Sequence, residues 1–397
     1  MRRIVFALDG KWPISFWPLP LFVGLVVFVY AANSAGAIEQ IPIETADESQ
    51  EEATRDVLEE LLESFSAYGS LRTRLLITDD TEELQNGASR IGLRLRRPIA
   101  PRVVPELTAL GLVEVQVNLV ENPTIATAGD STNSELLTDE NVDAFETRLG
   151  YVGFEFGDLA SVAFGKQWAV YYDVAGWTDQ FYVFGGTSLG AYNGGTDGGG
   201  GTGRADQAIV GRLDLDWLVV GAQYQVRGFD VISGRTYGGS LRARPAEWVE
   251  LGLSFNRADL ADDELGESIA TTEHPQTLAA GIRLRFESWL AAFVYAHQVQ
   301  TEPGTRAGET VLVDSDGYEF YARTDVALGV GAFGGFNIRA AEDAGLEEGL
   351  DVEQYYLGVD WFFDDHTFVY VQARSAHKGA EDAIVTGVRY NFELSSH

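Results

Sequence analysis

From Ala67 onward the chain repeats one pattern. Stretches of about 10 to 13 residues alternate apolar side chains with polar or small ones. In SLRTRLLI, Leu71, Leu75 and Ile77 share one face, and Arg72 and Arg74 share the other. In SRIGLRLRR, Ile91, Leu93 and Leu95 alternate with Arg90, Arg94 and Arg96. Sixteen such segments can be read, the last being AIVTGVRYNFEL. A period of two is the period of a strand, and strands of soluble proteins usually run only ~5–6 residues. Strands of nearly twice that length, with one apolar and one charged face, predict an all-β transmembrane antiparallel barrel of 16 strands. A packed soluble core could not hold so many charges.

The connections support this. Long ones fall near Glu121–Val142, Ala169–Gln207, Asp259–His274 and Thr301–Ser315. Tight turns fall between them at Gly157-Asp158, Asp216-Trp217, Pro245-Ala246, Glu287-Ser288 and Asp364-Asp365. Long loops at one end and short turns at the other are the mark of an outer-membrane barrel. Aromatic residues near strand ends, among them Tyr151, Trp217, Tyr237, Phe255, Phe286, Trp289, Tyr318, Phe320, Trp361, Tyr390 and Phe392, predict two interfacial girdles.

Ahead of the barrel, residues 1–37 read as a secretory signal peptide. Arg2, Arg3 and Lys11 open it, an apolar stretch follows, and Ala35-Gly36-Ala37 offers a small-x-small cleavage site. An uncleaved anchor is the other reading. Residues 38–66 form an acidic segment in which Val57, Leu58, Leu61, Leu62 and Phe65 make a helical apolar stripe. It predicts a surface helix, or else a short coiled coil. Residues 67–397 are the barrel domain. The formal charge of −32 argues against nucleic-acid binding. With no cysteine there is neither a disulfide nor a thiolate metal site.

The stretch Ala169–Gln207 has neither period, yet is rich in Gly and aromatics and carries Asp173, Asp179 and Asp197. A patternless stretch that long is usually functional or disordered. We read it as a loop folded into the lumen, with Tyr171 to Gln180, including Tyr172, as the constricting segment. Inward positions alternate along each strand, and closure sets the last strand beside the first. Arg72, Arg74, Arg90, Arg94, Arg96, Arg148 and Arg389 therefore share one basic wall, with Asp173 and Asp179 expected opposite. Arg72, Arg90 and Arg148 are expected to reach the pore constriction, and others would hold loop acids in place. The acids Asp214, Asp216, Glu250, Glu319 and Asp360 on other strands, with the acidic loops, predict a weak preference for cations.

Several stretches resemble the general porins of Gram-negative outer membranes. These are YGSLRTRL, Asn86-Gly-Ala-Ser-Arg-Ile-Gly92, Arg148-Leu-Gly-Tyr-Val-Gly153, Gly157-Asp-Leu159, Phe164-Gly-Lys-Gln167 and the closing GVRYNFEL. The resemblance implies a homotrimer of water-filled channels for small hydrophilic solutes. It also implies an outer-membrane location among lipid and lipopolysaccharide, and a third loop that forms the constriction. The chain departs from the family pattern where ELSSH follows Phe392, and where the third loop lacks a Pro-Glu-Phe element. A substrate-selective channel for phosphate, organic acids or sugars is the alternative. Enzyme signals are weak. Gly186-Thr-Ser188-Leu-Gly190 matches a hydrolase elbow but lacks the strand before it and the helix after it. The glycines Gly198, Gly200 and Gly203 lack a phosphate-loop context, and the five histidines show no ligand spacing. Neither cofactor nor metal is expected.

Overall fold

The structure is a computed structural model and describes residues 64–99, 102, 104–120, 145–192, 200–226, 234–260, 274–342 and 344–395. The signal peptide and most of the acidic segment lie outside the described residues. So do Asp197, Gly198, Asp262, Asp263, Glu264 and Glu267.

Seventeen strands are described. They are β1 (Phe65–Ile77), β2 (Glu82–Asn86), β3 (Arg90–Pro98), β4 (Leu107–Val117), β5 (Phe145–Phe156), β6 (Ala160–Trp168), β7 (Arg204–Asp214), β8 (Leu218–Gln225) and β9 (Gly234–Ala246), then β10 (Val249–Leu260), β11 (Gln276–Arg285), β12 (Trp289–Arg306), β13 (Glu309–Ala327), β14 (Val330–Ala341), β15 (Val352–Phe362), β16 (Thr367–Lys378) and β17 (Ala383–Ser395). Except for β2 and β3, which both pair with β1, each strand pairs antiparallel with its neighbours in sequence, and β1 pairs with β17 from Ser66↔Ser395 to Ile77↔Ile384, which closes the barrel. β2 and β3 lie end to end along β1 and count as one stave, so the barrel has sixteen. The break at 87–89 sets Ala88 at φ 59, while Gly87 N–H still donates to Arg72 O.

Side chains alternate as the sequence predicts. Leu71, Ile91, Leu93, Val113, Val152, Leu253, Leu357 and Val371 are exposed on the outer face, where a soluble protein would pay to leave them. Aromatics ring the short-turn end: Trp248 stacks near Phe286, Phe286 on Trp289 at 4.2 Å, and Trp361 near Phe363.

Four expectations are corrected. Tyr151 is not a girdle residue. Opposite Glu114 and Val115 the β5 register slips by one residue at Arg148, and Tyr151 then alternates with the outward Val152 and faces inward. Phe65 belongs to β1 rather than to a helix, so the barrel starts before Ala67. The stretch Thr301–Ser315 is not a loop, because β12 and β13 continue as a hairpin to the turn at Ala307-Gly308. Asp216 lies in the β7–β8 turn, not on a strand.

Candidate functional site

Between β6 and β7 the chain turns inward and runs along the inner wall. Its described part opens with one helical turn, α1 (Tyr172–Ala175). Val174, Ala175, Trp177 and Leu189 pack against Ala279, Ala292, Val294 and Ala296, which are the inward positions of β11 and β12. Small apolar inward residues there leave room for the loop. A Cβ at Gly252 would stand 2.5 Å from the Trp177 ring. The loop's far bend seats Phe181, Val183 and Phe184 among Tyr321, Phe333, Tyr356, Phe368 and Tyr370, with Leu76 and Val385 beside them. Burying this apolar surface is what draws the loop inward.

Polar inward residues then fix its path. Gln223 on β8 accepts from Val170 N–H, and Ser254 on β10 donates to Tyr171 O. Glu319 on β13 ties two points of the loop together, accepting from Thr178 Oγ1 and from Ser188 N–H, each at 2.8 Å. Gln298 donates to Ser188 O, Asn337 to Thr187 Oγ1, and Tyr182 OH to Asp360 at 2.8 Å. Gln372 accepts from Val183 N–H. These partners span β8 to β16.

The loop residues named from sequence have distinct roles. Tyr171 is buried and its hydroxyl donates to Leu189 O, so it braces the loop instead of lining the pore. Tyr172 is partly exposed and stacks on Trp168 at 4.3 Å. Its hydroxyl donates to Asp179, as does that of Tyr192. Burial, then the Asp179 charge, pushes both phenols well above the usual tyrosine range. Asp173 does not face the wall formed by β1 and β3. It is held by Arg212 of β7 at 2.9 Å and by Ser240 of β9, close to its own strand. The acid was legible in the sequence, but its partner was not.

Strands β17, β1, β3 and β5 carry the arginines. Arg72, Arg90, Arg94 and Arg389 keep partial exposure on the lumen face. Arg74 and Arg148 do not line open water; each is only 1% exposed. Arg74 donates to Gln85, and Arg148 donates to Glu114 at 3.0 Å and to Gln116. Glu114 also accepts from Tyr68 OH and pairs with Arg90 at 3.9 Å. It is the wall's internal counter-charge, and sequence reading missed it. The available signal was a single acid on the inward face of β4, between two arginine-bearing strands. Arg94 stacks over Tyr68 and pairs with Glu393, while Arg389 lies over the Tyr182 and Phe368 rings at 5.2 and 5.3 Å. Arginines on β9 and β11 (Arg242, Arg244, Arg283, Arg285) were also passed over, although LRAR and IRLR carry the same alternation as β3.

The lumen therefore has two unlike sides, one lined by the stitched loop and one by exposed guanidinium groups. A family model for Gram-negative porins matches residues 24–393. The chain belongs to that family. Outer membrane protein Omp-EA of Erwinia amylovora is 26% identical over 249 residues, which is 57% of this chain and 57% of that protein, little more than half its length. Outer membrane porin C of Enterobacter cloacae is 24% identical over 283 residues, covering 64% of this chain and 76% of the relative. Among solved structures, the Salmonella typhi OmpF complex with daunomycin matches with a TM-score of 0.67 at 17% identity, over 83% of this chain and 97% of that one. The anion-selective porin from Comamonas acidovorans matches at 0.61 and 14% identity, over 83% and 99%. At such identities these structures speak for the fold alone. As a Gram-negative porin the chain is an outer-membrane β-barrel, and in such barrels the short turns face the periplasm.

Proposed function

We propose that this porin passively conducts ions and small hydrophilic solutes through a water-filled lumen narrowed by the loop between β6 and β7, which ends at Gly203 rather than at Gln207. The observation that carries the reading is the loop's asymmetric attachment. Its hydrogen-bond partners run from Arg212 on β7 to Gln372 on β16, and the arginine-bearing strands β1, β3 and β5 lie outside that arc. The narrow passage then lies between Tyr172 and Asp179 on one side and Arg72 and Arg90 on the other, with Arg389 covering the Tyr182 ring at the loop's far bend. Opposed charges there order water and favour polar over apolar solutes. The outer loops are acidic, and with them the pore prefers cations weakly. The reading assigns no catalytic role. Ser188 of the G-x-S-x-G stretch is buried, and its backbone is spent on Glu319 and Gln298. We further assign a homotrimer, with lipopolysaccharide around its outer rim.

Planar-bilayer recording of the purified protein tests this. Open channels should enter in groups of three, with conductance proportional to salt and a reversal potential of cationic sign under a KCl gradient. A folded sample without conducting steps would sink the channel, and an anionic sign would overturn the stated preference.

A further inference from the structure

A second group of arginines lies on the periplasmic side of the loop, toward the short-turn ends of β9 and β11. Arg242 and Arg244 are inward residues of β9, Glu250 of β10, and Arg283 and Arg285 of β11. Three guanidinium groups converge on one carboxylate. Arg242 approaches Glu250 Oε1 at 3.7 Å, Arg244 approaches the same oxygen at 3.9 Å, and Arg283 donates to Oε2. Arg244 also reaches Asp214 at 3.3 Å, and Arg285 is exposed two positions along from Arg283. Positive charge exceeds negative in this group.

Its hydrogen-bonding groups are not used up. The donor Arg242 Nε and the acceptor Glu250 Oε1 are buried and make no hydrogen bond among the described residues. The two contacts to Oε1 are ion pairs at longer than hydrogen-bond distance. The Arg242, Arg244 and Arg283 side chains keep 20%, 38% and 23% of their surface, so they border the lumen. The Trp177 ring lies 5.0 Å from the Arg283 guanidinium, which places the group directly beneath the loop.

We propose that Arg242, Arg244, Arg283 and Arg285 form a binding station for small multivalent oxyanions on the periplasmic side of the constriction. Guanidinium forks match the paired oxygens of phosphate or a dicarboxylate, whereas a monovalent halide offers no second acceptor. Glu250 keeps the cluster folded when empty, and the surplus charge draws the anion. The station rests on the channel reading only for the anion's route. Occupancy itself is independent of conduction.

The test is calorimetric titration of inorganic phosphate into the full-length protein in non-ionic detergent, against chloride at equal ionic strength. Phosphate binding with about tenfold loss in the Arg242→Gln/Arg283→Gln double variant supports the station. Arg285→Gln, at a residue in no ion pair among the described residues, should lose several-fold and guards against misfolding of the double variant. Equal affinity in Arg285→Gln and parent, or loss of binding in Arg72→Gln instead, overturns it, as does equal heat from phosphate and chloride. In bilayers, phosphate on the periplasmic side should interrupt the KCl current at lower concentration than on the outer side. A channel that conducts without such interruptions overturns the station and leaves the porin reading intact.

Discussion

Arg72 and Arg389 stand directly opposite each other across the β1–β17 seam, two like charges in one cross-strand pair. Such pairs are destabilising in a sheet. Here the side chains diverge: Arg72 Nε donates to Ser70 at 2.7 Å, and Arg389 turns over Tyr182 and Phe368 toward the loop. Water in the lumen screens what repulsion remains. Arg72→Gln should leave stability unchanged or raise it by about 0.5 kcal/mol. A unit charge on the order of 10 Å from a permeating ion in water contributes about 0.4 kcal/mol, with opposite sign for cation and anion, so the cation-to-anion permeability ratio should rise about fourfold. Reversal potentials and denaturant midpoints measure the two effects separately.

Tyr182 is the loop's clasp at its far bend. Its ring stacks on Tyr370 at 4.6 Å and its hydroxyl donates to Asp360. Tyr182→Phe removes one hydrogen bond and should cost about 1 kcal/mol with little change in conductance. Tyr182→Ala removes the packing as well, should cost about 2 kcal/mol, and should raise single-channel conductance as the bend lifts from the wall. Equal conductance in both variants would show that this bend does not limit the pore.

Gly317 on β13 admits the loop backbone. A Cβ there would stand 1.7 Å from Ser188 O. The obstacle is backbone and cannot turn aside as a side chain would, so Gly317→Ala must push the loop away and break the Ser188 bonds to Glu319 and Gln298. The expected outcome is a folded barrel destabilised by about 1–3 kcal/mol, with a larger and noisier conductance.

Asp351, in the connection between β14 and β15, is held below the usual carboxylate range by Lys378 at 2.6 Å and by Ala341 N–H. A depressed folded value stabilises the connection above the unfolded value of about 3.9, and that contribution fades as pH falls through the folded one. Pepsin cleavage within 344–351 should therefore accelerate steeply below about pH 4 in the parent. Asp351→Asn should be cleaved at the faster rate throughout, with no such step.

Much of the barrel was legible because a lipid-facing strand cannot hide its pattern. Leu71, Ile91, Leu93 and Leu357 face outward as their alternation requires. The inward course of the third loop was legible for the same reason, since the residues from Ala169 fit neither period. Details that depend on register were not. A one-residue slip at Arg148 turned Tyr151 inward, and a break at Ala88 divided one stave in two. Nothing local in SLRTRL distinguishes Arg72 from Arg74, yet one keeps exposure and the other is buried against Gln85.

By itself, then, the sequence determined the strand number, the two faces and the inward loop, because each follows from side-chain periodicity within a single segment. Only the tertiary structure decided which charges pair. Asp173 meets Arg212, Glu114 meets Arg148, and Glu250 gathers Arg242, Arg244 and Arg283. Those encounters depend on shear between strands and on where a loop docks, which are properties of the closed barrel and of no single strand.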